Sequence, residues 1–369
     1  MLKKVKYGIL VFVLSLCLGN RAVAYEVTDK LSISGILAGA YQYQSVSNAP
    51  GFDDKDRGAL PVQVEVCFTP TENDEIFTKL GFGTGKGLKE GVSPFVFSTW
   101  AADLEDDVKD INGRNRDYLL TAWYKHTFKF GQDHALGITG GLIDATDYVD
   151  GNVYSNDEFT QFMNEALVNG PNGFLPSYDW GGALELELEH FAVKFVGMNV
   201  GENDDGKKYN WYGTELEYRS HSAFGEGHYR VLLDWTSEDF NNPAGDKKES
   251  LRCFILSFDQ QLGEVLGAWV RLGNQDDDAA IICEKLYSGG IDINGRLWGR
   301  GDDNVGIGYA NLRGGNLDVD QTHVLEIYAR FALSGIFALT ADVQYMKDEM
   351  KQGNSPRGFI YGLRLTAEF

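Results

Sequence analysis

Beyond its first two dozen residues the sequence has no apolar run approaching the ~20 residues that a membrane-crossing helix requires, which excludes a bundle of transmembrane helices. Cysteine is sparse, with 4 in 369 residues. Cys17 falls in an N-terminal apolar stretch, so Cys67, Cys253 and Cys283 remain, an odd number that permits at most one disulfide and excludes a cysteine-framed fold. Proline is scarce at 8 residues, and no low-complexity tract or internal repeat divides the chain. Basic charge is in deficit, with 33 Lys and Arg against 54 Asp and Glu. A surface of that sign repels phosphates, so nucleic acid is excluded as a partner. The 6 histidines lack His-x-x-x-His or similar spacing, so no metal site is expected. The glycines of Gly81 to Gly87 lack the Gly-Lys-Ser/Thr ending of a phosphate loop, and no cofactor is expected.

The N-terminus names a compartment. Lys3, Lys4 and Lys6 precede the apolar run Gly8 to Leu18, and Ala22-Val23-Ala24 supplies a small-x-small cleavage site. This reads as a secretory signal over residues 1–24, leaving residues 25–369 as one unit. Removing Lys3, Lys4, Lys6 and Arg21 would move the net charge from −21 to −25.

What the chain has in abundance is glycine, 44 residues, and aromatic side chains, 13%. Both suit many twisted strands with aromatic belts at two interfaces. The last stretch shows the pattern most plainly. Phe359, Tyr361, Leu363, Leu365, Ala367 and Phe369 share one face; Ile360, Gly362, Arg364, Thr366 and Glu368 share the other. That is period 2, a strand. Sixteen such segments are expected between Leu31 and Phe369, joined alternately by short and long connections, with Asn294 to Asn304 alone breaking the alternation. An even number of strands with short turns on one rim and long loops on the other predicts an all-β transmembrane antiparallel barrel of about 16 strands. A secreted β-rich binding protein is the alternative at this point. Acidic runs such as Asp53-Asp54 and Asp276-Asp277-Asp278 fall mainly in the long loops, where they serve as a solvated rim or as a divalent-ion bridge to lipopolysaccharide.

From Tyr118 onward, ordered pieces of the sequence resemble the OprB-type carbohydrate-selective porins. They include Leu120-Thr121-Ala122-Trp123-Tyr124, Gly140-Gly141-Leu142-Ile143-Asp144, Asn156 to Asn164, Ala268-Trp269-Val270-Arg271-Leu272-Gly273 and Glu326-Ile327-Tyr328-Ala329-Arg330-Phe331. The terminal Phe369 resembles the C-terminal signature of outer-membrane barrels. The resemblance implies passive diffusion of small sugars through the outer membrane of a Gram-negative bacterium, a homotrimer, and outer-membrane lipid and lipopolysaccharide as surroundings. A general or cation-preferring porin remains the alternative, favoured if acidic groups line the pore.

With apolar positions turned to lipid, the opposite face lines the lumen. That places Trp123, Glu185, Trp269, Arg271, Glu326, Arg330, Asp342, Gln344 and Arg364 inside, where arginines, carboxylates and amides can exchange hydrogen bonds with hydroxyls and tryptophan can stack on sugar C–H groups. The segment Ala145 to Asp179 is too long for a mere connection. Its aromatics Tyr148, Tyr154, Phe159 and Phe162 are expected to fold inward and narrow the pore, or else to form an outer lid or subunit contact. Thr84 to Asp117 is the other candidate constriction. Paired carboxylates such as Glu185 and Glu187 are ordinary same-face neighbours of a polar lumen, so an enzyme is not expected.

Overall fold

A computed structural model describes residues 24–89 and 91–369; apart from Ala24, the expected export signal lies outside them. Sixteen strands form the wall. They are β1 (Leu31–Ser47), β2 (Lys55–Thr71), β3 (Asp74–Thr84), β4 (Leu119–Lys129), β5 (Ala135–Ile143), β6 (Asp179–Glu187), β7 (Phe191–Val200) and β8 (Tyr209–Ser222). The second half comprises β9 (Gly225–Thr236), β10 (Arg252–Leu262), β11 (Leu266–Gln275), β12 (Cys283–Asn294), β13 (Asn304–Gly314), β14 (Val319–Ala332), β15 (Phe337–Met350) and β16 (Arg357–Glu368). Each pairs antiparallel with its chain neighbour, and β16 returns to β1 from Glu368↔Ile36 to Arg357↔Ser47. Closure leaves no unpaired edge, the condition for a sheet to stand in hydrocarbon. A short segment, Tyr25–Thr28, adds to the base of β1.

The burial pattern is that of a soluble protein turned inside out. Along β16 exposure alternates from Arg357 to Thr366, with Leu363 55% exposed and Arg364 0%. On β14 Leu325, Ile327 and Phe331 are exposed while Glu326 and Tyr328 are buried. Apolar side chains therefore meet lipid and polar ones point inward, as period 2 with an apolar exterior requires.

The expected segments correspond one to one with these strands, but their ends differ. Strands β1, β2, β13 and β14 run further than the apolar band, so two of the connections read as long shorten to residues 48–54 and 315–318. Pairing continues there with polar groups on both faces, as where Tyr43 faces Asp56, and outside the bilayer nothing demands an apolar outer face. The connection that broke the alternation, 295–303, stays on the short-turn rim. It is compacted by a 3-10 turn, Gly295–Trp298, and by the Arg300 to Asp303 ion pair.

Two long connections, 85–118 and 144–178, do not extend outward. They fold into the barrel and pack on its inner wall, burying Phe95, Phe97, Phe162 and Leu167 against Trp269, Leu286, Val324 and Ile360. Inside a barrel the wall is polar, so such loops must be held chiefly by hydrogen bonds and charge pairs, and the wall residues that hold them can be named.

Candidate functional site

Loop 144–178 begins with Asp144, whose carboxylate caps a 3-10 turn by accepting from the Thr146 amide at 2.9 Å and the Thr146 hydroxyl at 2.7 Å. It then crosses to the β8 to β11 wall. The Asp150 amide donates to Glu215 of β8 at 2.7 Å. Arg271 of β11 donates from Nε to Asp150 Oδ1 at 2.8 Å and from its terminal nitrogens to Ser155 Oγ at 3.0 Å and the Leu167 carbonyl at 3.3 Å. Arg271 and Asp150 are both fully buried. A guanidinium offers five donors in a fixed fork, which suits it to gathering several loop carbonyls around one point.

The loop then reaches β14, β15 and β16. Glu326 accepts from the Met163 amide at 2.6 Å and the Asn164 amide at 2.9 Å. Asn164 donates to Gln344 at 2.9 Å, and Gln344 donates to the Thr99 carbonyl of loop 85–118 at 2.9 Å and to Asp342 at 3.0 Å. Arg364 donates to the carbonyls of Glu158, at 2.7 Å, and Gln161, at 2.8 Å. Phe162 stands edge-on to Trp269 and Tyr328, with ring centroids 5.7 and 5.0 Å apart.

The residues expected to meet solute therefore divide. Arg271, Trp269, Glu326, Asp342, Gln344 and Arg364 do point inward, but they are buried beneath the loops and none faces open water. Arg271, Glu326, Gln344 and Arg364 use their polarity to anchor the loops, a role that the strand pattern alone does not separate from solute contact. Glu185 pairs with Lys125 at 2.6 Å, and Trp123 stacks on Phe77 and packs against the cluster that holds Tyr148. Arg330 pairs with Glu368 at 2.8 Å near the short-turn rim. All four loop aromatics pack against the wall, Phe159 on Ala38, Ala40 and Ala59, and Phe159 also borders the inner cavity.

Three cavities lie along these loops among the described residues, each sharing lining residues with its neighbour. The outer one, about 910 Å³, lies under loop 85–118 and is bordered by Lys86, Lys89, Asp106, Asp107 and Glu165. A middle cavity of about 260 Å³ shares Glu165 with it. An inner one of about 430 Å³ reaches Glu368 and Phe369 and shares Asp144, Thr146, Glu158 and Tyr178 with the middle cavity. These four shared residues form the throat. The sequence reading missed all four as a set, because they lie in a loop with no repeating pattern. Loop length was the signal available.

Tyr178 is held in place unusually firmly. Its φ of 58° is in the left-handed region that a bulky side chain rarely adopts. Its carbonyl accepts from Arg116, and its hydroxyl donates to Asp103 Oδ2 at 2.6 Å. The carboxyls here sit in a crowded, acidic place. Desolvation, reinforced by Asp157, pushes Glu158 up to about 8. Desolvation likewise raises Asp103 to about 6, and Asp147 to about 6 with further repulsion from Asp144 and Glu65.

The comparisons with known proteins agree with this architecture. Residues 102–369 match the carbohydrate-selective porin, OprB family. An uncharacterized protein of Aquifex aeolicus (strain VF5) is 33% identical over 298 residues, covering 80% of this chain and 84% of that one. Porin AaxA of Chlamydia pneumoniae is 22% identical over 233 residues, 58% of this chain and 52% of its own. Among solved structures, Pseudomonas putida OprB at high pH has the same fold, with a TM-score of 0.72 over 92% of this chain and 94% of that one at 14% identity. The fold and the family are those of channels rather than enzymes. A closed sixteen-stranded wall, a lumen narrowed by an inward loop and a family match over most of the chain lead to one conclusion: the protein is an outer-membrane porin and belongs to the carbohydrate-selective OprB family.

Proposed function

We propose that the protein carries small sugars passively across the outer membrane. The observation that carries this reading is the throat, where carboxylates from Asp144 and Glu158 and hydroxyls from Thr146 and Tyr178 border the junction of two cavities. Carboxylates accept and hydroxyls both donate and accept, so the ring can replace part of a sugar's hydration shell as it enters. Such contacts are weak and several, which lets a solute leave as readily as it arrives. Membership of a carbohydrate-selective family supports the same solute class.

In this reading solute meets Asp144, Thr146, Glu158 and Tyr178, while Arg271 and Arg364 hold the loop that presents them. Swelling of proteoliposomes in isotonic neutral sugars tests it. Rates are expected to fall steeply with sugar size, and sugar added to a planar bilayer is expected to block the ion current. Tyr178→Phe removes a hydroxyl worth about 0.5–1.5 kcal/mol and should weaken that block roughly threefold to tenfold at unchanged single-channel conductance. Full conductance with neither swelling nor block by any sugar would reject the reading.

A further inference from the structure

The two inner cavities are bordered by carboxylates far in excess of bases. Glu65, Asp144, Asp147, Asp157, Glu158 and Glu368 line the inner one, and Asp103 and Glu165 join at the middle one. Lys79 of β3 is the one base bordering either cavity among the described residues. Its Nζ stands 3.6 Å from Glu65 and 3.8 Å from Asp147. A primary ammonium thus already sits in the passage wall between two carboxylates, which marks this space as one that holds such a group. It does not balance the ring: Asp103, Asp144 and Glu158 have no ion-pair partner within 4.0 Å among the described residues. The lysines of the outer cavity do not compensate either, because Lys86 and Lys89 are paired with Asp106 and Asp107.

We infer that the throat favours positively charged solutes, so that among sugars of one size a protonated amino sugar passes faster than the neutral sugar, and a sugar acid slowest. This rests on the diffusion-channel reading above and narrows its solute class. The physical reason is focusing. Low-dielectric walls concentrate the field of unpaired charges into the narrow aqueous path, raising the local concentration of the opposite sign on the order of 10- to 1,000-fold. Hydroxyl recognition is retained, since the same carboxylates accept from hydroxyls; an ammonium gains in addition the charge-assisted bonds that Lys79 now makes at longer range.

The test uses the full protein in planar bilayers and proteoliposomes. Across a KCl gradient the reversal potential should report a potassium-to-chloride permeability ratio on the order of ten, and glucosamine should enter liposomes several-fold faster than glucose, with gluconate behind both. Asp147→Asn at neutral pH and Glu158→Gln above about pH 8, where each carboxyl carries its charge, should each lower the ratio, whereas Lys79→Met should raise it. Among the described residues the Glu158 carboxyl bonds only its own backbone amide, a contact a glutamine oxygen can keep, so its isosteric variant guards against a folding defect at Asp147; heat-modifiable migration checks both. A permeability ratio at or below one, or equal entry of glucosamine and glucose, would overturn the inference. An absence of any conductance from correctly folded protein would instead overturn the channel reading on which it rests.

Discussion

Arg271 and Asp150 form an ion pair with no access to water, and four further loop groups depend on the same guanidinium. Breaking such a pair by removing one partner leaves a buried charge uncompensated, at a cost of about 3–5 kcal/mol. Arg271→Ala is therefore expected to lower the temperature at which the barrel loses its compact electrophoretic form, and to make the current noisier as loop 144–178 loses its anchor. A variant whose melting and current trace match the parent's would show that the loop is held elsewhere. That Arg271 points inward was legible from Leu266, Ala268, Val270 and Leu272 on the other face of its strand. Its partner was not, because nothing in local periodicity says which segment 121 residues away in the chain fills the lumen. Small inward positions carried an unread hint. A Cβ at Gly267 would stand 2.1 Å from the Tyr154 ring, and one at Gly308 2.7 Å from Phe162, so each glycine marks where the tip of a loop aromatic meets the wall.

Among the elements, strands were readable and loops were not, and the difference is physical. A strand between lipid and water repeats its constraint every second residue, so each of β1 to β16 declares itself within a few residues. Loop 144–178 obeys no repeating constraint; it is shaped by contacts to β8, β11, β14, β15 and β16 that are distant in sequence. Strand ends fell between these cases, since beyond the bilayer the apolar signal stops while the hydrogen-bonded ladder continues. The closing strand shows what a single terminal residue contributes. The Phe369 amide donates to the Gly35 carbonyl at 3.0 Å and its carbonyl accepts from the Gly35 amide at 2.9 Å. Its ring is buried with Val62, Ile336 and Ala367. Phe369→Ala keeps both backbone bonds and loses the ring packing, a change that costs about 3–5 kcal/mol in a buried site. The expected result is a lower yield of heat-modifiable barrel and easier unfolding in urea, while single-channel conductance of the molecules that do fold stays unchanged.

At the scale of the whole molecule, net acidity becomes a functional property through where the acids are placed. Many decorate solvated loops and others line the strands, but those of the throat are crowded enough to titrate near neutrality. Asp147 faces Lys79, Asp144 and Glu65; Asp103 faces Tyr178, Asp107 and the lysines Lys89 and Lys79; Glu158 faces Asp157, Asp103 and Lys79. In every case desolvation raises the carboxyl, so the group is neutral below its raised value and charged above it. Asp103 and Asp147 gain their charge as pH rises through about 6, and Glu158 as it rises through about 8. Selectivity for cations should therefore climb in two stages between about pH 5 and about pH 9, weakest in acid, where Lys79 faces neutral carboxyls. Reversal potentials measured across that range report the climb directly. Glu158→Gln should remove the upper stage and leave the lower one, and Asp147→Asn should reduce the lower stage while sparing the upper. A flat profile in the parent protein would mean that the throat carboxyls are better hydrated than their surroundings indicate, and that charge selection belongs to the loop surface instead.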